Sequence, residues 1–272
     1  SDGRALRDFA LARVARLYPL HLLALVVVAL AFWGRPVNGP AAFALHLLMM
    51  QAFADPVAHT FVGPSWSLSI EVLCYVVFAL SAVFWRSAVR PLAWALMLGG
   101  AAWLFLLGPP GGPWSGDIFA RGFFGFFMGQ LLWHGRDHLA ALSAPLLLAM
   151  LAAGLALDAG AISPLLPLGF LAWPAALGLA LRWSLMESRA MLWLGDRSYA
   201  IYLIHMPLVE GMNAALGKLD VAPAMVLLVF AGFVVTVLAL SDLTLRMVEK
   251  PARRWIRGWA GPEPAAKAAA AA

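Results

Sequence analysis

Long apolar segments, separated by short polar links, follow one another along almost the whole chain. A helix needs about 20 apolar residues to cross the hydrocarbon core of a membrane. The pattern therefore predicts an all-α protein, a polytopic transmembrane bundle of about eight helices. The candidate spans are residues 17–33, 66–85, 91–108, 118–133, 139–157, 162–181, 191–210 and 222–245. A ninth apolar stretch, 41–53, is too short to span and begins after Pro40, which favours a re-entrant or interfacial helix.

The basic residues test this topology, because cytoplasmic loops of membrane proteins are enriched in Lys and Arg. If the N-terminus is cytoplasmic and 41–53 does not cross, most of the 19 basic residues fall on one side. They are Arg4, Arg7, Arg13, Arg16, Arg86, Arg90, Arg136, Arg182, Arg189, Arg246, Lys250, Arg253, Arg254, Arg257 and Lys267. If 41–53 crossed the membrane, every later loop would lie on the opposite side, and the basic C-terminal residues would lie outside. We therefore predict eight spans with both ends of the chain in the cytoplasm.

Composition supports a membrane environment over other classes. The chain is 63% hydrophobic and 12% charged, whereas soluble domains are about half apolar and a quarter charged. The net charge of +5 sits on residues between apolar segments, so membrane orientation explains it and no nucleic-acid partner is expected. Glycine-rich phosphate loops, HExxH, GxSxG and clustered Cys/His ligands are missing from the sequence. We therefore expect membrane lipid as a partner, no metal and no bound cofactor.

Glu71 is an ionisable residue early in the second predicted span. Ser67, Glu71 and Tyr75 recur every four residues and so form a polar stripe on one helix face. A charge at membrane depth costs at least about 2.5–3.5 kcal/mol, so such a residue is functional or paired. Glu71 is accordingly either a carboxylate that orients a base or binds a substrate hydroxyl, or a hydrogen-bonding group between packed helices.

His205 lies about two-thirds of the way across the span 191–210, close to Pro207. Imidazole is the side chain best suited to exchange a proton near neutral pH. The alternative is structural: a histidine hydrogen-bonded to the backbone carbonyl that the proline frees, which would fix a kink. From the residues alone both interpretations stay open.

Arg13 and Arg16 share a helix face where the first span begins. Two guanidinium groups at a cytoplasmic mouth suit a bidentate grip on phosphate, although plain membrane anchoring explains them as well. At the other end of the chain, Glu249 is expected to pair with a nearby arginine and Pro251 to stop the last helix.

Two further pairs of residues are interpreted as structural. His21 and His46 have apolar neighbours, which favours packing histidines whose nitrogens are hydrogen-bonded. Asp196 and Arg197 are interpreted as a local pair at a helix start.

Five segments in this order resemble the acyltransferase-3 family of bacterial membrane proteins. They are Phe9–Pro19 (FALARVARLYP), Trp66–Tyr75 (WSLSIEVLCY), Phe123–Gly129 (FFGFFMG), Leu194–His205 (LGDRSYAIYLIH) and Val248–Pro251 (VEKP). Each is weak alone, but together they cover nearly the whole chain in register.

The resemblance implies a membrane-bound O-acyltransferase of the bacterial inner membrane. Such an enzyme moves an acyl group, often acetyl, from acyl-CoA as co-substrate to a hydroxyl of a sugar or another cell-envelope acceptor. Arg13 and Arg16 match the family's Arg-x-x-Arg motif, which implies contact with acyl-CoA. Glu71 and His205 match family positions inside the bundle, which makes both candidate catalytic residues.

One departure from the family pattern affects the expected active site. Family members begin with two further helices that carry an arginine and, eleven residues later, the histidine implied as catalytic. Here the residues eleven after Arg4 and Arg7 are Ala15 and Tyr18. We therefore expect residues 1–260 to form an N-terminally truncated acyltransferase domain whose main catalytic histidine lies outside the chain. Residues 261–272 are expected to form a disordered Pro/Ala-rich tail.

A function of another class fits the same polar residues. A polytopic transporter or flippase would use Glu71 and His205 as a substrate or proton path. Such a protein is expected to show inverted repeats or paired broken helices, and the sequence has no convincing pair.

Overall fold

The computed structural model describes residues 2–54, 57–108, 117–157, 163–217 and 223–259, and within these ranges the regular structure is helical. The predicted tail and the proline-rich link at 109–113 lie outside the described residues. In chain order the helices are α1 (Asp2–Phe32), α2 (Pro40–Leu47), α3 (Trp66–Phe84), α4 (Val89–Leu106), α5 (Ile118–His134), α6 (Arg136–Ala141), α7 (Ala144–Ala156), α8 (Leu165–Ala180), α9 (Arg189–Leu216), α10 (Pro223–Thr244) and α11 (Lys250–Gly258).

The all-α prediction is confirmed, and each of the eight predicted spans contains helix. Within the described residues, four helices are long and apolar enough to cross a membrane by length and composition. They are Gly3–Phe32, Gly63–Phe84, Arg86–Leu106 and Met225–Gly258. The count of eight spans stays a prediction.

The short apolar stretch at 41–53 forms the eight-residue helix α2 followed by a single turn, Gln51–Phe53. Eight helical residues rise only about 12 Å, against a hydrocarbon core about 30 Å thick. Two further single turns, Val57–His59 and Gly63–Ser65, lead into α3. This segment is therefore too short to span as helix.

The predicted span 139–157 is not one continuous helix. It contains the end of α6 and the separate 13-residue helix α7, with Leu142 and Ser143 extended between them. The cause is Pro145 in the first turn of α7, since a continuous helix would place its ring against the carbonyl four residues earlier.

The prediction that Pro251 stops the last helix is wrong. A π-helical turn, Leu245–Glu249, carries α10 directly into α11, and Pro251 lies in the first turn of α11. The wider turn changes the hydrogen-bond register, so the missing N–H of proline is tolerated at that position.

Contacts divide the chain into two compact units. The terminal unit comprises Ser1–Ser69 and Leu194–Ala272, and the central unit comprises Ile70–Trp193. Within the terminal unit, α1 packs against α2, the π-helical turn and α11. Its core includes Leu20, Leu25 and Leu203, each at most 1% exposed.

The central unit uses small residues to bring helices together. Gly100 of α4 lies against Ala120 of α5, where a Cβ on the glycine would come within 2.6 Å of the Ala120 carbonyl oxygen. Gly154 of α7 meets Ala172 of α8 in the same way, at 2.5 Å from its backbone nitrogen. Close backbone approach of this kind is how helices gain packing energy in lipid.

Candidate functional site

The two arginines predicted to grip phosphate lie on α1, both partly exposed. The Arg16 guanidinium stands over the Tyr199 ring of α9, 5.7 Å from its centroid, and the Arg13 guanidinium over the Phe9 ring at 5.3 Å. Tyr199 is itself fixed, because its hydroxyl donates to the Leu17 carbonyl oxygen at 2.6 Å. The Arg16 side chain is therefore supported by an aromatic face that belongs to another helix.

The C-terminal helix brings a second group of charges to the same place. Glu249 is 1% exposed and pairs with Arg253, which confirms the predicted ion pair. Arg16 is close enough to both residues to interact with them electrostatically. Arg7 also reaches this helix end, where its guanidinium donates to the Trp259 carbonyl oxygen at 2.5 Å. Arg16 and Arg253 together with the single carboxylate of Glu249 leave a net positive charge near Arg16.

Helix α11 is strongly basic. Its four cationic residues are accompanied by Trp255, which is exposed, and by Ile256, which is buried. Because α11 continues directly from α10, this positive charge lies at the end of the candidate span Met225–Gly258.

His205 of α9 is partly exposed, and its Nδ1 lies 2.7 Å from the Tyr202 carbonyl oxygen and 3.2 Å from that of Ile201. A carbonyl oxygen can only accept, so Nδ1 carries the proton and Nε2 holds the lone pair of the neutral ring. The carbonyl freed by Pro207 is that of residue 203, so the structural interpretation was wrong about the partner. The ring is held by its own helix and presents a basic nitrogen.

Tyr202 links His205 to the start of α3. Its ring centroid is 6.0 Å from that of His205, and its hydroxyl donates to the Pro64 carbonyl oxygen at 2.7 Å. The Ser67 hydroxyl lies 2.8 Å from the same phenol oxygen. The structure thus brings Ser67, the first member of the predicted polar stripe, next to the histidine helix.

Glu71 and Tyr75 are the other members of the stripe and belong to the central unit. The Tyr75 hydroxyl donates to the Glu71 carboxylate, as the spacing of four residues predicts. Tyr75 also packs edge-on against Phe126 of α5, with centroids 5.6 Å apart. Glu71 is partly exposed, and its Oε1 accepts the hydrogen bond from Tyr75. Arg13, Arg16 and His205 lie in the terminal unit.

The packing histidines belong to a larger buried network in the terminal unit. His46 Nε2 bonds to the Thr60 hydroxyl at 3.0 Å and Nδ1 to the Ser65 hydroxyl at 3.3 Å, so His46 is satisfied as predicted. Burial, with the neighbouring His21 as a smaller cause, lowers the pKa of His46 to about 4. His46 is therefore neutral at physiological pH. The sequence pattern did not reveal Thr60 or Gln51 as members of this network.

An ion-pair cluster between α9 and α10 was also missed. The Arg197 side chain is only 6% exposed and pairs with Asp242 of α10. The predicted helix start at Asp196 is wrong, because α9 begins at Arg189. Asp242 also pairs with Arg246, whose Nε lies 2.8 Å from the Asp242 Oδ2 atom. The sequence does contain a signal for this partner, because Ser241 and Asp242 are polar residues in an otherwise apolar span.

An apolar cavity of about 390 Å³ lies between α1, α9 and α10. Leu20, Val28, Leu203, Pro207 and Leu240 are among its lining residues. Its walls suit hydrocarbon. Among the described residues, no group of three or more His, Cys, Asp or Glu side chains could hold a metal ion.

Comparison with known proteins identifies a family. The acyltransferase-3 family model, described as an acyltransferase domain, matches residues 1–246. Neither the curated proteins nor the solved structures contain a match to the chain.

Proposed function

Because the chain belongs to the acyltransferase-3 family, a family of membrane acyltransferases, we propose that it moves an acyl group from acyl-CoA to a hydroxyl. The acceptor would be a sugar or another component of the cell envelope, and the membrane the bacterial inner membrane. The observation that carries the donor assignment is the position of Arg16, which lies over the Tyr199 ring and close enough to Arg253 for the two charges to interact.

The donor end of the reaction rests on Arg13 and Arg16. Guanidinium groups bind phosphate oxygens through paired N–H donors, and the Tyr199 ring limits how far the Arg16 group can move. The predicted topology places both arginines on the cytoplasmic side, where acyl-CoA is available. The apolar cavity between α1, α9 and α10 has the lining needed for an acyl chain.

The transfer step requires a base and a stabiliser of the developing charge. The acceptor hydroxyl gives up its proton, its oxygen attacks the thioester carbonyl, and the CoA thiolate leaves. His205 presents Nε2 as a proton acceptor, and Glu71 holds a carboxylate suited to orienting a hydroxyl or a base. Each is a candidate catalytic residue in its own unit.

The experiment measures acetyl transfer from labelled acetyl-CoA by the full-length protein in liposomes. Arg13→Ala/Arg16→Ala is compared with Arg86→Ala/Arg90→Ala, which removes the same charge from exposed positions on the predicted cytoplasmic side. Loss of two charge-assisted bonds predicts a rise in KM for acetyl-CoA of about 10- to 100-fold in the first variant alone. Equal KM values in both variants would remove the phosphate-binding role.

A further inference from the structure

Helix α11 carries three positive charges that no described carboxylate neutralises. Lys250, Arg254 and Arg257 are exposed, and none of them forms an ion pair with a described residue. The buried carboxylate beside this helix, that of Glu249, is already paired with Arg253. Because the three exposed residues are spaced by four and three positions, they share one side of the helix. We call Lys250, Arg254 and Arg257 the basic face.

Helix length places the basic face relative to a membrane. Helix α10 has 22 residues and therefore rises about 33 Å, slightly more than the hydrocarbon core of about 30 Å. Lys250 follows the end of α10 by about 9 Å, close to the outer limit of the headgroup layer. Helical side chains tilt towards the N-terminal end of their helix, which here is the end at the hydrocarbon. The three cationic groups therefore reach back to the depth of lipid headgroups.

Two tryptophans of the same helix fit this depth. Trp255 and Trp259 are 66% and 52% exposed, and their rings meet edge-on with centroids 4.5 Å apart. Exposed tryptophan is enriched at the membrane–water interface, where its ring contacts lipid and its N–H reaches polar groups. Arg7 of α1 donates to the Trp259 carbonyl oxygen at 2.5 Å. The end of α11 is therefore tied to another helix of the terminal unit.

We propose that the basic face binds the phosphate groups of anionic phospholipids such as phosphatidylglycerol. Phosphate oxygens accept hydrogen bonds from guanidinium and ammonium groups, and the opposite charges attract. A lipid suits this surface better than a soluble anion, because the membrane itself holds the lipid phosphate at the depth that the three cations reach. A zwitterionic lipid offers the same phosphate but carries its own compensating cation. Each basic residue near an anionic membrane surface strengthens binding about fivefold.

Two triple variants separate this surface from a general effect of positive charge. Each loses three exposed charges that the predicted topology places on the cytoplasmic side. They are Lys250→Gln/Arg254→Gln/Arg257→Gln, the basic-face variant, and Arg86→Gln/Arg90→Gln/Arg189→Gln, the matched control. The basic-face variant retains the Glu249–Arg253 ion pair, so we expect a Tm near that of the wild type in detergent without lipid. Arg254→Gln alone is a milder change of the same surface.

Native mass spectrometry of the full-length protein, titrated in detergent with one lipid at a time, gives the Kd of the first bound lipid. The lipids are phosphatidylglycerol and phosphatidylcholine with the same acyl chains. We expect the wild type and the matched control to prefer phosphatidylglycerol at least about tenfold, and the basic-face variant to bind both lipids within about twofold. Arg254→Gln alone should weaken phosphatidylglycerol binding about fivefold. Equal affinity of the wild type for the two lipids, or an equal loss of preference in both triple variants, would overturn the proposal.

Competition distinguishes a lipid phosphate from a soluble one. CoA or inorganic phosphate is added to the wild-type protein with phosphatidylglycerol bound, and we expect neither to displace the lipid. No acyl donor is present, so the result does not depend on the proposed acyl transfer. Displacement by either compound would assign the basic face to a soluble anion and overturn the proposal.

Discussion

Gly99 and Gly100 are neighbours on α4 whose environments differ sharply. A Cβ on Gly100 would lie 2.6 Å from the Ala120 carbonyl oxygen and 3.0 Å from the Phe124 backbone nitrogen of α5. A Cβ on Gly99 would have no atom within 4 Å among those described. The same substitution to alanine therefore acts in opposite directions at two adjacent positions.

The magnitudes follow from these distances. Ordinary contact begins at 3.4 Å, so Gly100→Ala forces α4 and α5 apart by several tenths of an ångström against backbone atoms. Overpacking of this kind costs about 1–3 kcal/mol, which exceeds the gain of about 0.5–1 kcal/mol from replacing a helical glycine. Gly99→Ala receives that gain without the cost. We expect the free energies of unfolding of the two variants to differ by about 1–3 kcal/mol.

Thermal unfolding of the purified protein in a single detergent measures the difference. At about 2–4 °C per kcal/mol for a chain of this size, Gly100→Ala should melt clearly below Gly99→Ala. Retained helix content at low temperature would show that both variants fold. Equal Tm values, or a higher Tm for Gly100→Ala, would refute the close approach of α4 and α5.

Three further results are expected. Arg253→Met should lower the free energy of unfolding by about 3 kcal/mol, because the buried Glu249 carboxylate loses its ion pair. Adding Glu249→Gln should restore most of this loss. Thermal unfolding of the single and the double variant measures the loss and the recovery. Tyr199→Phe should lower Tm and weaken CoA binding less than Arg13→Ala/Arg16→Ala does, since the ring stays under Arg16 but loses the hydrogen bond that fixes it. CoA titration of the purified variants measures the difference. The pKa of His46 is lowered from 6.5 to about 4 in the folded protein, so the unfolded chain takes up the proton first as the pH falls. The free energy of unfolding should therefore be highest above pH 6.5 and decrease as the pH falls towards 4. His46→Gln should flatten this part of the curve of stability against pH.

The sequence predicted the elements that depend on local pattern. The lengths of the apolar segments predicted where the helices lie. The spacing of Glu71 and Tyr75 predicted their hydrogen bond, because residues four apart are neighbours on the surface of a helix. The sequence-based prediction failed at two prolines that have different effects. Pro145 lies at the start of a new helix, whereas Pro251 follows a π-helical turn through which the helix continues. Local sequence does not distinguish these cases, since the neighbouring helices decide which backbone groups are satisfied.

The site could be predicted only in part for the same reason. Arg13, Arg16 and His205 were identifiable as charged or basic groups in apolar surroundings. The support of Arg16 by Tyr199 depends on contact between helices far apart in sequence. Gln51 and Thr60 lie in irregular turns without periodicity, so their burial beside His46 was invisible until the chain folded.

The central claim, acyl transfer from acyl-CoA, is tested most directly by a double-label measurement. Acetyl-CoA carrying ¹⁴C in the acetyl group and ³H in the CoA is given to the full-length protein in liposomes with a hydroxyl acceptor. We expect ¹⁴C to appear in a base-labile ester while an equal amount of ³H is released as free CoA thiol. Uptake of a labelled solute with no thiol release would contradict it and favour a transporter that uses Glu71 and His205.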